Sequence, residues 1–267
     1  MNKIFQVALV FVASFLLVGQ LSAQVTLKSI QKKGEIRIGM TGVQPPYSLE
    51  SIDGQLMGFE VDLAQILANA MHVECKLVKM PFQELLPALE EGKIDAVMSG
   101  LTMTIERNLK NVFIGPYAVT GKTLLTKSSV IDRINTSSLH DTKNLSLVAL
   151  KGTTSEDFIK NYIPGADVKY VEDYDDAVSM VNDGRVDALV ADYPICALSA
   201  LRHQGKGLVC LDEPVTIEPI GMALNTNDLL LINIIQNYFS TLQLSGNLDL
   251  ITYKWFDDST WLIRAKL

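Results

Sequence analysis

Two hydrophobic periodicities alternate along most of the chain. Residues Glu35–Met40 form a short apolar run that predicts a strand. The apolar positions that follow are Phe59, Leu63, Ile66, Leu67 and Ala70. This spacing of i, i+4, i+7, i+8 and i+11 predicts a half-buried helix. A strand at 75–80, a helix at 83–91 and a strand at 94–99 should come next. We expect Pro87 in the first turn of that helix, where its missing N–H is harmless, and Gly92 at its end.

The second half of the chain repeats this alternation. Strands are predicted at 145–152, 168–172 and 185–191, and helices at 154–165 and 174–184. The apolar tail from 229 to 256 has the pattern of two helices that separate near Gly246. Strands that alternate with helices through short connections predict βαβ units, with a parallel sheet in each half of the chain.

One ten-residue pattern occurs in both halves. Residues 91–100 read EGKIDAVMSG, and residues 183–192 read DGRVDALVAD. In each copy a glycine should cap a helix, and the apolar residues after it should form a buried strand. The copies differ at their ends, which are Ser99-Gly100 and Ala191-Asp192. Because ligands of open parallel sheets bind beyond the carboxyl ends of strands, these two ends are candidate site positions.

The first of these ends leads into a segment rich in hydroxyl groups. Ser99, Thr102 and Thr104 are followed by Arg107, and Thr104 is placed to cap a short helix. A helix start attracts an anion, and arginine can bind a carboxylate through two parallel hydrogen bonds. The alternative is a solvent-facing helix start with an ordinary surface arginine.

Three other side chains are candidates, each with a structural alternative. Asp192 could cap the helix that follows it or receive a cation, and the two roles are compatible. Tyr47 follows Pro45-Pro46 in a rigid loop, and Phe82 precedes a helix. Both aromatic rings could belong to the core or could line the apolar part of a ligand pocket.

The N-terminus has the pattern of a secretory signal peptide. Lys3 precedes an apolar run at 4–18, and small residues end at Ala23, after which we expect cleavage. The run of about 15 residues is shorter than the roughly 20 that a membrane-spanning helix needs. The mature protein should therefore be free in solution outside the cytoplasm, in the periplasm.

Charge and composition exclude several functions. Loss of residues 1–23 removes one lysine and no acid, so the net charge changes from -7 to -8, which argues against nucleic acid as a partner. The three histidines lack metal-ligand spacing, and no phosphate-binding loop or GxSxG motif occurs, so we expect no metal and no cofactor. Of Cys75, Cys196 and Cys210, the last two could form a bridge or could pack as reduced thiols.

Seven motifs resemble the bacterial extracellular solute-binding proteins of family 3, the polar amino-acid-binding components of ABC importers. They are PPYS, GFEVDLA, FQELLPALEEGKIDAVMSGLTMTIER, GPYAVTGKTLL, GTTSEDFI, GRVDALVADYP and EPIGMAL, and they cover nearly the whole mature chain. The resemblance implies a type II periplasmic binding protein-like fold, in which two α/β lobes are joined by two crossover strands. These strands should lie near 121–127 and 218–224. The first lobe would comprise 24–123 plus 222–267, and the second lobe 124–221.

The resemblance also implies a ligand site between the lobes. Arg107 and Thr102 would hold an α-carboxylate, helped by the backbone at Ser99-Gly100, and Asp192 would receive the α-ammonium. The remaining implied ligand-binding residues are Thr153, Thr154 and Ser155, for the carboxylate, and Tyr47 and Phe82, for the side chain. The chain departs from the family pattern at Ile105, Gly115 and Ala118. The resemblance therefore implies an amino acid as the ligand without identifying which one.

The resemblance makes a monomeric, non-enzymatic binding protein that delivers its ligand to an ABC permease the first interpretation. A dehydratase acting on prephenate or arogenate is an alternative, since a few relatives have that activity. It needs a general acid, for which Glu156 or Glu218 could serve, and Asp192 would disfavour a ligand without an amine. A ligand-sensing module is a second alternative. Glu50, Glu60 and Glu218 could each face the side-chain pocket or solvent.

Overall fold

The computed structural model describes residues 25–134 and 144–266. The predicted signal peptide lies outside these residues. In chain order the strands are β1 (Glu35–Met40), β2 (Val43–Gln44), β3 (Ser48–Glu50), β4 (Leu56–Met57), β5 (Glu74–Lys79), β6 (Ala96–Val97), β7 (Val112–Thr120), β8 (Lys122–Lys127), β9 (Ser146–Leu150), β10 (Asp167–Val171), β11 (Ala188–Asp192), β12 (Leu208–Cys210) and β13 (Glu218–Leu224).

The helices follow the predicted alternation. They are α1 (Leu27–Lys33), α2 (Phe59–Ala70), α3 (Phe82–Glu90), α4 (Ile105–Asn108), α5 (Thr154–Tyr162), α6 (Tyr174–Asn182), α7 (Tyr193–Arg202), α8 (Leu229–Leu244) and α9 (Asn247–Thr252). Short helical turns of other pitch occupy Ile131–Arg133, Tyr253–Asp257 and Thr260–Arg264. None of the helices in the described ranges is long and apolar enough to cross a bilayer.

Two five-stranded sheets with the same arrangement form the framework. The first has the order β5-β1-β6-β13-β7 and the second the order β10-β9-β11-β8-β12. In each sheet the first three strands are parallel, and the fourth is antiparallel to both of its neighbours. The predicted α/β fold is confirmed, although each sheet is mixed and not wholly parallel. The antiparallel fourth strand was not predicted.

The chain crosses between the sheets twice, at neighbouring positions. It passes from β7 to β8 through Gly121 and returns between β12 and β13, in residues 211–217. A side chain on Gly121 would place its Cβ 2.0 Å from the carbonyl oxygen of Thr216, so the two crossing segments touch where only glycine fits. The backbone N–H of Lys122, the next residue, donates to the Thr216 hydroxyl at 2.8 Å.

Several local predictions are confirmed. Strand β1 and helix α2 have the expected bounds, and Gly246 separates α8 from α9. Gly92 and Gly184 both follow the last turn of a helix with φ of 70°, the left-handed conformation expected of helix-ending glycines. The repeated pattern is therefore a helix end that leads into a buried strand in each sheet, although β6 is shorter than predicted.

Two local predictions are wrong. Pro87 is the sixth residue of α3, which begins at the buried Phe82, and it lies inside the helix and not in its first turn. The helix therefore lacks one backbone hydrogen bond at Pro87. In α2, Ile66 is exposed, and Ala64 and Ala68 are buried instead. The helix contacts β1, β3, β4, β5 and α9, so its buried stripe is broader than the predicted face and is rotated from it.

Candidate functional site

The end of β6 is anchored within the first lobe, the layers around the first sheet. Ser99 is fully buried, and its hydroxyl donates to Gln44 Oε1 at 2.8 Å and accepts from the Thr41 N–H at 3.1 Å. The Gly100 N–H donates to Glu60 Oε2 at 2.8 Å. The Ser99 hydroxyl and the Gly100 N–H are thus bonded to protein groups, and they hold the turn before Thr102 in place.

The segment after this turn positions the arginine. Thr104 caps α4 as predicted, and its hydroxyl accepts from the Arg107 N–H at 3.2 Å. The Arg107 side chain folds back over the segment, and its Nη1 donates to the Thr102 carbonyl at 2.9 Å. Its Nη2 donates to the Gly152 carbonyl, in the layers around the second sheet, at 3.3 Å. Phe82 lies beneath the guanidinium, with the Arg107 Cζ 5.8 Å from the ring centroid. Arg107 therefore lies between the lobes.

The start of α5 faces this segment from the second lobe, the layers around the second sheet. The Thr154 hydroxyl lies 3.4 Å from the Thr102 hydroxyl and donates to Glu218 Oε2 at 3.2 Å. Thr153 caps the helix without a side-chain bond to it, since its hydroxyl donates to the Leu150 carbonyl at 2.7 Å. Ser155 is buried in the first helical turn. Of these three hydroxyl residues, Thr154 makes side-chain contacts across the lobe boundary.

Asp192 contacts a cation and makes no capping hydrogen bond. It precedes α7 as the cap residue, but its side chain does not bond to the helix backbone. Its Oδ1 instead accepts from Lys122 Nζ at 2.6 Å, and Lys122 is its directly paired residue on the antiparallel strand β8. The Lys122 side chain is 1% exposed and that of Asp192 is 7% exposed. The Asp192 side chain is therefore paired with the Lys122 ammonium, and its role as receptor for a ligand cation stays a prediction.

Glu218 completes this ionic cluster from the first sheet. Its Oε2 lies 3.8 Å from Lys122 Nζ, and its Oε1 accepts from the Thr216 hydroxyl at 3.1 Å. Burial raises the pKa of Asp192, and the adjacent Lys122 ammonium opposes that rise. Burial lowers the pKa of Arg107, and the nearby carboxylates of Glu218, Asp157 and Asp192 oppose that fall. The charges at the lobe boundary thus compensate one another.

The two predicted aromatic residues lie near different charged groups of this region. Tyr47 is buried and packs edge-on against Phe59 and Phe256, so much of its ring belongs to the first-lobe core. Burial raises the pKa of its hydroxyl, and so does the negative charge of Asp192. Phe82 is buried beneath Arg107. Both rings are therefore core residues, as one of the two interpretations predicts, and their lining of a ligand pocket stays a prediction.

Sequence reasoning missed several residues of the site. Lys122 is the most important, and its only sequence signal is a lysine at the start of a strand with two leucines at its centre. Tyr174 was also missed. It is buried at the start of α6, and burial together with the charge of Asp192 raises its pKa.

The three glutamates that could face either the side-chain pocket or solvent have different positions. Glu60 is fully buried, bonded to the Gly100 N–H and to the Tyr117 hydroxyl. Burial raises the Glu60 pKa to about 7, although both hydrogen bonds oppose the rise. Glu50 pairs with Lys79 at the surface. Glu218 alone of the three belongs to the ionic cluster at the lobe boundary. Within the described ranges, no group of acidic, histidine or cysteine side chains is arranged to hold a metal ion.

Several known proteins similar to this chain are amino-acid-binding proteins and not enzymes. The L-cystine-binding protein TcyJ of Escherichia coli K12 is 29% identical over 230 residues, which cover 86% of this chain and 85% of TcyJ. An L-arginine-binding protein of Pseudomonas aeruginosa is 30% identical over 249 residues, which cover 90% of this chain and 95% of that protein. Histidine-binding periplasmic proteins of Salmonella typhimurium and Escherichia coli are also similar.

Solved structures share both the fold and substantial sequence identity. A binding component of an ABC transporter from Wolinella succinogenes, complexed with lysine, superposes with a TM-score of 0.81 at 32% identity and covers 87% of this chain. The ancestral amino acid-binding protein AncCDT-1, described as a precursor of cyclohexadienyl dehydratase, gives 0.80 at 34% identity over 86% of this chain. The match extends over 100% and 99% of those two chains, respectively. The family model for bacterial extracellular solute-binding proteins, family 3, matches residues 36–258, and this chain belongs to that family.

Proposed function

We propose that this protein captures an amino acid between its two lobes and delivers it to an ABC importer. The observation that carries the proposal is the position of Arg107 and Asp192 in different lobes, both beside the lobe boundary. An amino acid has a carboxylate and an ammonium on one carbon. Its binding site therefore needs a cation and an anion close together. The relatives named for cystine, arginine and histidine support the ligand class.

Each half of the ligand has an appropriate set of partners. The carboxylate binds Arg107 together with the hydroxyls of Thr102 and Thr154 and the start of α5, where backbone N–H groups favour an anion. The ammonium binds Asp192. Tyr47 and Phe82 border the ligand, and the buried hydrogen bonds of Ser99 and Gly100 keep the carboxylate-binding segment in position.

The proposed mechanism is closure of the lobes around the ligand. The division at Gly121 and at 211–217 is supported by the order of the strands, since β1–β7 and β13 lie on one side and β8–β12 on the other. These boundaries lie within a few residues of those expected from the family. Contacts such as Arg107 with Gly152 and Gln83 with Glu172 join the lobes, so they belong to the closed form. A ligand that binds both lobes shifts the equilibrium towards that form.

The proposal includes a location outside the cytoplasm and a permease partner. Removal of a signal peptide after Ala23 would release the protein outside the cytoplasm, and several relatives are named as periplasmic. We further propose that the mature protein is a monomer that presents its closed form to a permease. A pull-down of the permease with ligand-loaded protein, but not with ligand-free protein, would support this step.

The test is a binding screen on the mature protein and two site variants. We expect thermal shifts with at least one of the twenty amino acids or cystine, since ligand binding stabilises the folded state. Arg107→Ala should weaken that binding by about 2–5 kcal/mol, because the ligand carboxylate loses its charged partner, and Asp192→Asn should weaken it similarly. The controls are Arg185→Ala and Asp183→Asn, whose side chains are 55% and 54% exposed. Wild-type affinity in either site variant would refute the site assignment.

A further inference from the structure

Four ionised side chains meet at the lobe boundary, and the proposed ligand uses only two of them. Besides Arg107 and Asp192, these are Lys122 and Glu218. The side chains of Lys122, Asp192 and Glu218 are 1%, 7% and 11% exposed, respectively. Lys122 already occupies an oxygen of the carboxylate that should receive the ligand ammonium. A ligand ammonium at Asp192 therefore has to share or displace a buried lysine ammonium.

The position of Glu218 provides an alternative partner for that lysine. Its Oε2 lies 3.8 Å from Lys122 Nζ, and hydroxyls from Thr154 and Thr216 hold the two carboxylate oxygens in place. When the ligand ammonium binds Asp192, the flexible lysine side chain can move the short distance to Glu218. Both carboxylates and both ammonium groups then remain paired, which a buried site requires.

The net charge of this cluster determines which ligand fits. Arg107 and Lys122 contribute two positive charges, and Asp192 and Glu218 contribute two negative charges. An amino acid with an uncharged side chain is neutral overall and leaves the closed site balanced. An arginine or lysine ligand adds one unpaired positive charge beside the Lys122 ammonium, and a glutamate or aspartate ligand adds one unpaired negative charge.

Other charged groups near the cluster do not change this balance. Glu60 lies behind Gly100 and is hydrogen-bonded to Tyr117, away from the lobe boundary. Asp157 and Glu106 act on Arg107 but are exposed, so water and salt screen their charges.

We propose that Lys122 is a specificity-determining residue, and that it restricts the cleft to amino acids with uncharged side chains. This inference rests on the proposed amino-acid-binding function. In the absence of ligand, Lys122 neutralises Asp192. In the complex it neutralises Glu218 and excludes a second cation. Relatives that are named for arginine or bound to lysine would, on this reasoning, balance their clefts differently.

The test uses charge-changing variants and a panel of probes measured by calorimetry. The uncharged probes are glutamine, leucine and cystine, and the charged probes are arginine, lysine and glutamate. Wild-type protein should bind one of the uncharged probes best, with arginine and lysine roughly 100-fold weaker, as expected for juxtaposed like charges. Lys122→Met keeps the length of the side chain and removes its charge. It should shift the ratio of arginine to uncharged-ligand affinity by roughly tenfold or more towards arginine.

Glu218→Gln and the double variant test charge balance and not merely structure. Glu218→Gln alone leaves the cluster positive, so it should shift the preference towards glutamate. Combining it with Lys122→Met makes the cluster neutral again, and the double variant should recover the wild-type order of preference. A purely structural role for Lys122 predicts no such recovery. Lys151→Met is the control, because its side chain is 56% exposed and lies outside the cluster.

The outcomes separate this inference from the proposed function. Tightest wild-type binding of arginine, lysine or glutamate would overturn the inference and leave amino-acid binding standing. An unchanged preference in both Lys122→Met and Glu218→Gln would also overturn it. If Lys122→Met does not fold, Glu218→Gln and the double variant decide the question. Folded wild-type protein that binds none of the probes or other amino acids would refute the proposed function, and the inference with it.

Discussion

Glu60 provides a quantitative test of the first-lobe core beneath the site. This carboxyl group is fully buried in the first turn of α2, where it accepts hydrogen bonds from the Gly100 N–H and the Tyr117 hydroxyl. The substitution Glu60→Gln keeps the shape of the side chain and an oxygen for the Gly100 N–H, but removes the ionisable group. We expect it to change how the free energy of unfolding depends on pH.

The size of the effect follows from the pKa of the carboxyl group. Burial raises the Glu60 pKa from 4.5 to about 7 in the folded protein. The group is protonated in both states below pH 4.5, whereas between 4.5 and about 7 the unfolded chain ionises more readily. Wild-type stability attributable to Glu60 is therefore complete below pH 4.5 and is lost as the pH rises through about 7. The difference between the two pKa values corresponds to about 3 kcal/mol.

Urea denaturation at pH 4.5, 6, 7 and 8 measures this difference. Trp255 and Trp261 are both buried in the same core cluster as Phe59, so tryptophan fluorescence reports unfolding of the first lobe. The stability of Glu60→Gln relative to wild type should increase by about 3 kcal/mol from pH 4.5 to pH 8. Other groups titrate equally in both proteins and cancel in this comparison.

The control is a second glutamate in the first turn of a helix. Glu84 occupies that position in α3 but is exposed, so Glu84→Gln should follow the wild-type pH profile. Parallel pH profiles for wild type and Glu60→Gln would refute the reasoning, because they would mean that the buried carboxyl group is protonated to the same extent in the folded and unfolded states.

Two further predictions concern the lobe crossing and the cysteines. Gly121→Ala should lower the melting temperature and destabilise the protein by about 2 kcal/mol, because the alanine Cβ would collide with the Thr216 carbonyl. An unchanged melting temperature would contradict that close approach. Cys196 and Cys210 are unbridged and share one core cluster, in which α7 packs against β12, whereas burial raises the pKa of Cys75 to about 11. Glutathione disulfide should therefore join Cys196 to Cys210, with release of two glutathione molecules. Thiol titration in denaturant that still finds all three cysteines free would exclude the bridge.

Much of the fold could be predicted from the sequence because its signals are local. The bounds of α2 and the break at Gly246 depend on residues within a few positions of one another. Pro87 was misplaced because the proline rule considers only the lost backbone hydrogen bond, whereas burial of Leu85 and Leu89 in the tertiary structure stabilises α3 around it. Ile66 was misassigned for a similar reason, since the contacts around α2 decide which of its faces is buried.

The site was only partly predictable, and the reason is topological. The repeated pattern identifies Asp192 as a strand end, but it contains no information about which strand lies opposite. Lys122 and Asp192 are 70 residues apart in sequence and become paired only because β8 runs antiparallel beside β11. Glu218 joins them because the returning segment places β13 in the other sheet, beside the first crossing. Sequence reasoning could therefore find Asp192, the group proposed to receive the ligand ammonium, but not the lysine that is paired with it. If the lysine must move to Glu218 before the ammonium can bind, the selectivity of the cleft depends on the two crossing segments as much as on the residues that contact the ligand.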